Sequence, residues 1–305
     1  MSTSEIKPRE DRLLLAALIV LAAYLCFALL DTTAKFLSKQ IPMPEVVFIR
    51  YLGHLVVLVA IFGPIYRQSL AATRAPRLEL ARGLVLLATT LLSFSALRYL
   101  HLAAYAAIML TTPLLIAGLS VPLLGERVGP RRWAAIGVGF LGALVVVRPG
   151  ADTFQWATLL TLAGALGGAI YSIIARKLAG VDRAATQMFY TGLIAATGSF
   201  PFAIANWHWP QTALGWIALA AAGPTGWAGH HLMTVAYRFA PASALTPFMY
   251  VQIVYMIIAG LIFFGEWPSW PVFAGAGLIV ASGLFVWHRE AKLKRQAALM
   301  AAATL

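Results

Sequence analysis

The sequence predicts an all-α membrane protein, with ten transmembrane helices in two inverted five-helix repeats. Three observations carry this. Of 305 residues, 61% are hydrophobic and only 11% are charged, where a soluble domain carries roughly 25% charged residues; the mean hydropathy is +0.81. The apolar runs are long and continuous. A helix needs about 20 apolar residues to cross the hydrocarbon core, and backbone groups in lipid must pair internally, which leaves helices or closed barrels. These runs lack the alternation of barrel strands, which recurs over about ten residues. Lastly, the chain repeats at an offset of 140 residues: Arg98 is followed 27 residues later by Gly125-Glu126, and Arg238 by Gly265-Glu266 at the same spacing. The same offset pairs Gly83 with Gly223, Ala104 with Ala244, Ala134 with Ala274, Gly137 with Gly277, Val146 with Val286 and Trp133 with Phe273. An odd number of spans per copy forces the second copy to enter the bilayer upside down.

In order, the first repeat (13–149) carries spans at 13–37, 44–62, 78–97, 104–124 and 133–147. The second (150–288) carries spans at 156–175, 184–205, 213–237, 242–264 and 270–287. The first run lacks a small-residue cleavage site followed by a polar start, so it reads as an anchor and not a removed signal. Gly63-Pro64 punctuates the end of the second span, Pro149-Gly150 that of the fifth, and basic clusters mark others. Span four contains Thr111-Thr112-Pro113 and span eight Gly223-Pro224-Thr225-Gly226-Trp227 near its middle. Proline removes a backbone bond and glycine loosens the turns around it, so span eight is expected to break and present a half-helix N-terminus, and span four makes a similar case. The bland alternative is a packing kink. Gly164, Ala165, Gly167, Gly168 and Ala169 in span six allow close helix packing. Residues 1–12 form a cytoplasmic N-terminus and 289–305 a basic cytoplasmic tail, solvated with weak binding to anionic lipid.

The net charge of +12 is explained by its distribution and does not point to nucleic acid. With the N-terminus inside, Lys35, Lys39, Arg98 and Arg148 fall on the outer side and Arg50 within a span, leaving 18 of the 23 Lys and Arg on the inner side. The positive-inside rule then puts both termini in the cytoplasm. The one cysteine, Cys26, lies inside the first span, so no intrachain disulfide and no zinc cluster is expected. No His-Glu-x-x-His, Gly-x-Ser-x-Gly, P-loop or paired-Asp metal motif occurs, which argues against a membrane enzyme or a primary pump. Nothing repeats like a pore filter. Inverted repeats point to a secondary transporter with its cargo held between the halves.

Charge inside a span is costly, roughly 2.5–3.5 kcal/mol on the insertion scale. Asp31 lies six residues before the outer end of span one and Arg50 six residues after the outer start of span two. At 1.5 Å rise both sit about 9 Å below the outer surface, and Lys35 shares the helix face of Asp31. These three are read either as an outer gate or substrate-charge site, or as an ion pair fastening the first two spans. His54, Thr90, Ser93, Thr112, Tyr171, Thr225, Trp227, His230, Tyr250 and Gln252 are the candidate substrate-binding groups at intermediate depth. Each can instead be an interhelical hydrogen bond. His54 or His230 is a candidate proton carrier. Glu126 and Glu266 read as loop and helix-end groups on opposite faces.

The string Tyr99-Leu-His-Leu-Ala-Ala-Tyr-Ala-Ala-Ile, then Thr112-Pro113, Gly125-Glu126-Arg127-Val128, Trp133 and Gly137, resembles the EamA-type repeat of the drug/metabolite transporter superfamily. Tyr237-Arg-Phe-Ala-Pro-Ala-Ser-Ala-Leu-Thr-Pro through Gly265-Glu266 resembles it again, and Phe48-Ile-Arg50-Tyr51 resembles the start of its second span. The second copy departs from the pattern at Ile253 and at Trp267-Pro268. The resemblance implies ten helices, small-metabolite transport, often export, and no cofactor. The chain is most similar to the YddG-like branch of amino-acid exporters. The expectation is therefore alternating-access export of amino acids or similar metabolites from a bacterial inner membrane, acting as a monomer in the lipid bilayer. Nucleobases, vitamins or drug-like solutes are the alternative cargo, and an enzyme on lipid-linked substrates is the alternative class.

Overall fold

The structure, a computed structural model, describes residues 7–125, 129–150, 155–205, 207–240 and 242–303; Glu126 and Arg127 of the repeat motif lie outside the described residues. The helices are α1 (Lys7–Leu37), α2 (Met43–Tyr66), α3 (Pro76–Leu97), α4 (Leu102–Met109), α5 (Thr112–Leu124) and α6 (Pro130–Val147). They continue as α7 (Ala157–Leu178), α8 (Ala184–Ile204), α9 (Ala213–Phe239), α10 (Ala242–Met249), α11 (Val251–Phe264) and α12 (Trp270–Ala303). A 3-10 turn, Arg67–Leu70, follows α2, and Ala179 and Asp182 make an isolated bridge.

Among the described residues, seven segments are long and apolar enough to cross a membrane: Leu13–Leu37, Met43–Leu70, Pro76–Leu97, Leu102–Leu124, Ala157–Leu178, Pro247–Phe264 and Trp270–Arg289. Trp133–Val147 is a shorter apolar helix. The 21-residue α8 and 27-residue α9 have the length, but their Thr, Gly, Ser, Gln and His residues lower their hydropathy. The chain is a multi-pass helical membrane protein. Its outer surface is apolar, with Phe202, Ile217 and Ile262 exposed, while its interior carries many small residues, Ala106, Ala165 and Ala195 among them. That is the inversion expected where the solvent is lipid and helices associate by close packing.

Two crossings are broken at positions 140 residues apart: α4 gives way to α5 at Leu110-Thr111, and α10 to α11 at Tyr250. Pro113 has no N–H for the Met109 carbonyl, and the Thr112 hydroxyl donates to that carbonyl instead, at 2.7 Å. The Thr111 hydroxyl donates to Ile108 at 2.7 Å. At the second break the Tyr250 N–H donates to Pro247 at 3.4 Å, a tightened turn.

The break expected at Gly223-Pro224 is absent, because α9 is continuous from Ala213 to Phe239. The Thr225 hydroxyl donates to Ala221 at 2.7 Å and so stitches the turn around the proline. Gly223 serves packing: a Cβ there would lie 2.6 Å from the Cα of Gly53 on α2. Gly142 on α6 and Gly275 on α12 meet in the same way, a Cβ on Gly142 falling 2.7 Å from the Gly275 carbonyl. Around these contacts α1 packs on α9, α3 on α7, α2 on α8 and α9, α3 on α8, and α6 on α12, while the broken crossings pack on α7 and α1.

Candidate functional site

Arg50 is buried on α2, 6% exposed. Its Nη1 donates to the Thr90 hydroxyl of α3 at 3.1 Å, and Thr90 shares a 2.6 Å hydrogen bond with Tyr51. The guanidinium lies 4.5 Å from the Tyr51 ring centre and 5.3 Å from that of Phe94, the cation–π geometry that stabilises a desolvated cation. Gly226 on α9 makes room for it, since a Cβ there would stand 3.3 Å from Arg50 Nε. One turn along each helix, His54 of α2 faces His230 of α9, with ring centres 6.5 Å apart. Phe27 of α1 meets His230 edge-on at 5.0 Å. On the α1 side, Gln252 of α11 donates to Asp31 at 3.4 Å. Arg50 Nε, His54 Nε2 and Gln252 Oε1 are buried without a hydrogen-bond partner. Such groups are costly when left dry, so this layer is suited to bonding a polar solute.

The expected Asp31–Arg50 ion pair is not formed. Arg50 makes no ion pair among the described residues; its field reaches Asp31, His54 and His230 without contact. Nor does Lys35 pair with Asp31. It forms a partly buried ion pair with Glu266 and donates to the Leu100 carbonyl. The other Glu266 oxygen accepts the Leu102 N–H at 2.9 Å, at the first turn of α4, where the helix dipole favours a carboxylate. Glu266 thus ties α1, α4 and the end of α11 together. In the sequence Glu266 reads as a loop and helix-end group, because its partner is 231 residues away.

The remaining candidates divide. Ser93 is buried against Gly164 of α7. Thr112 bonds its own turn, as does Thr225. Tyr171 joins a second buried arginine: Arg82 Nη2 donates to its hydroxyl at 2.5 Å, and Nη1 donates to Thr191 and to the Gln187 carbonyl at 2.8 Å. Arg82, one of the cations counted on the inner side, sits buried beside fully buried Glu79, 3.8 Å from its carboxylate. Trp227 stacks on His231 at 4.9 Å and 9°. Tyr250 is turned away to α12, its hydroxyl filling the space over Gly283. Tyr51, Phe94 and Phe27 were missed by sequence reasoning; the Phe48-Ile-Arg50-Tyr51 string was the one signal that touched them.

Residues 14–148 and 155–287 match the EamA-like transporter family. A riboflavin transporter of Vibrio cholerae is 31% identical over 289 residues, 92% of this chain and 95% of that protein. An S-adenosylmethionine uptake transporter of Rickettsia bellii is 27% identical, over 86% of this chain and 89% of its own length. A solved chain titled "Crystal structure of protein" superposes with a TM-score of 0.63 at 23% identity, covering 88% of this chain and 94% of its own length, a likeness of fold.

Proposed function

Because the chain belongs to the EamA-like transporter family, and so is a transporter of small metabolites, we propose that its cargo is a planar, polar heterocycle of vitamin type. The layer of Asp31, Arg50, His54, His230 and Gln252 would bind it. The observation that carries this reading is the composition of that layer. Unpartnered polar atoms stand among π faces from α1, α2, α3 and α9, so a flat ring can stack while its edge takes up the hydrogen bonds. The transporters named for riboflavin and S-adenosylmethionine are consistent with a heteroaromatic cargo.

The reading includes two inverted five-helix repeats working by alternating access in a bacterial inner membrane. Its support is the helix pairing: replacing α1–α6 by α7–α12, in order, turns α1 on α9 into α7 on α3, α2 on α9 into α8 on α3, and α5 on α7 into α11 on α1. A second reading, export of amino acids or similar zwitterions, is favoured by one observation: Asp31 and Arg50 present opposite charges from different helices without touching. Counterflow in proteoliposomes separates the two. Riboflavin and S-adenosylmethionine are loaded against the twenty amino acids, with Arg50→Gln as the control. Saturable exchange of a heterocycle, lost in Arg50→Gln, is the expected result. Exchange of amino acids alone moves the assignment to the second reading, and exchange of neither class removes both.

A further inference from the structure

A cavity of about 370 Å³ opens where α2 ends, α8 begins and the last turns of α9 pass, away from the Arg50 layer. That volume lies within the roughly 300–1,000 Å³ range of small-molecule pockets. Arg183 and Arg238 stand at its rim, both exposed, while Ala185 and Met188 form its buried floor. Phe62, Tyr66 and His231 give it an aromatic side, the Phe62 and His231 ring centres lying 5.8 Å apart. Phe62 stacks on Tyr66 at 5.8 Å and 24°, and His231 stacks on Trp227 at 9°. No acidic side chain among the described residues lines it. Arg238 makes no hydrogen bond or ion pair among the described residues, and Arg183 lies over the Tyr66 ring at 5.2 Å with a long 3.4 Å contact to Ser69. The first turn of α8, at Ala184 and Ala185, also borders the cavity and has no side-chain cap, so its backbone N–H groups add to the positive field.

Two cations around one concavity, with no carboxylate among the described lining residues, repel each other until an anion enters. The adjoining aromatic rings select the body attached to that anion. We propose that this cavity is a second binding site, for a soluble planar aromatic anion carrying one carboxylate or phosphate. The anionic group would sit between Arg183 and Arg238, with the ring lying against the aromatic surface of Phe62, Tyr66 and His231. The proposal does not depend on which solute the Arg50 layer carries.

The test uses the full chain in phosphatidylcholine nanodiscs with 2-naphthoate as probe, followed by calorimetric titration. Neutral 2-naphthalenemethanol and inorganic phosphate are compared. Naphthoate should bind saturably and more tightly than either comparison compound. The exposed double variant Arg183→Gln/Arg238→Gln should lose about tenfold or more in affinity, one charge-assisted bond corresponding to roughly that factor. Arg50→Gln should bind as the parent does. Equal binding by the double variant, or by the neutral alcohol, overturns the proposal. So does loss of naphthoate binding in Arg50→Gln, which would put the probe in the central layer. If phosphatidylglycerol nanodiscs abolish naphthoate binding while phosphate at equal charge does not, the occupant is a lipid headgroup and the soluble-anion proposal falls.

Discussion

Lys35 and Glu266 give the most decisive test of how the bundle is held at one end. Their side chains are 5% and 13% exposed. Lys35→Met removes the ammonium and leaves Glu266 buried with only the Leu102 N–H, 2.9 Å away; an uncompensated buried charge costs about 3–5 kcal/mol. Glu266→Gln should cost less, about 2 kcal/mol. The amide oxygen can still accept from Leu102, and Lys35 keeps the Leu100 carbonyl and the Phe264 ring, 5.2 Å from its Nζ. The double variant has no orphaned charge, so its loss should fall short of the sum by about 1–3 kcal/mol. Reversible unfolding in mixed micelles measures all four corners of the cycle. The pair joins residues of the two family-matched segments. A loosening of about 2 kcal/mol would therefore shift a closed–open ratio at that end roughly 30-fold, read as faster thiol labelling of a cysteine placed at Lys39 in a Cys26→Ala background. Additive stabilities, or labelling unchanged in Glu266→Gln, would refute the idea that this pair is a latch.

Asp31→Asn and Arg50→Gln should show weaker coupling, below about 1 kcal/mol, because a field and not a contact links them; the same micelle cycle measures it, and coupling as large as that of Lys35–Glu266 would show that they meet. Gly223→Ala should destabilise by about 1–3 kcal/mol, since its Cβ would strike the Gly53 backbone. Gly137→Ala, with nothing within 4 Å, should be neutral or gain up to about 1 kcal/mol of helix propensity; equal losses in denaturation would remove the packing argument. Trp227→Ala should leave transport through the Arg50 layer saturable while lowering thermal stability through the lost His231 stack. Abolished counterflow at normal stability would put Trp227 in the transport path itself.

Transfer free energy is local, and what depended on it could be read from residues in order. The first span was placed at 13–37, and the structure has an apolar crossing at Leu13–Leu37. Thr112-Pro113 announced a break in the fourth span, where α4 and α5 part. The family was legible because its motif recurs at a fixed spacing. Arg50, His54, His230 and Gln252 could be picked out because polar groups inside apolar runs are conspicuous. Who touches whom was not legible, and the same local chemistry had opposite outcomes. Proline with glycine at 223–224 looked like a break, yet Thr225 closes the turn and Gly223 admits α2. Asp31 and Lys35 share a helix face one turn apart, yet Lys35 reaches Glu266 across the bundle. Arg82 counts among the inner-side cations, and its partners Tyr171 and Thr191 stand 89 and 109 residues away. Hydropathy and spacing say which groups leave water. The partner each one finds depends on how closely two helix backbones approach, and that distance is a property of the assembled bundle.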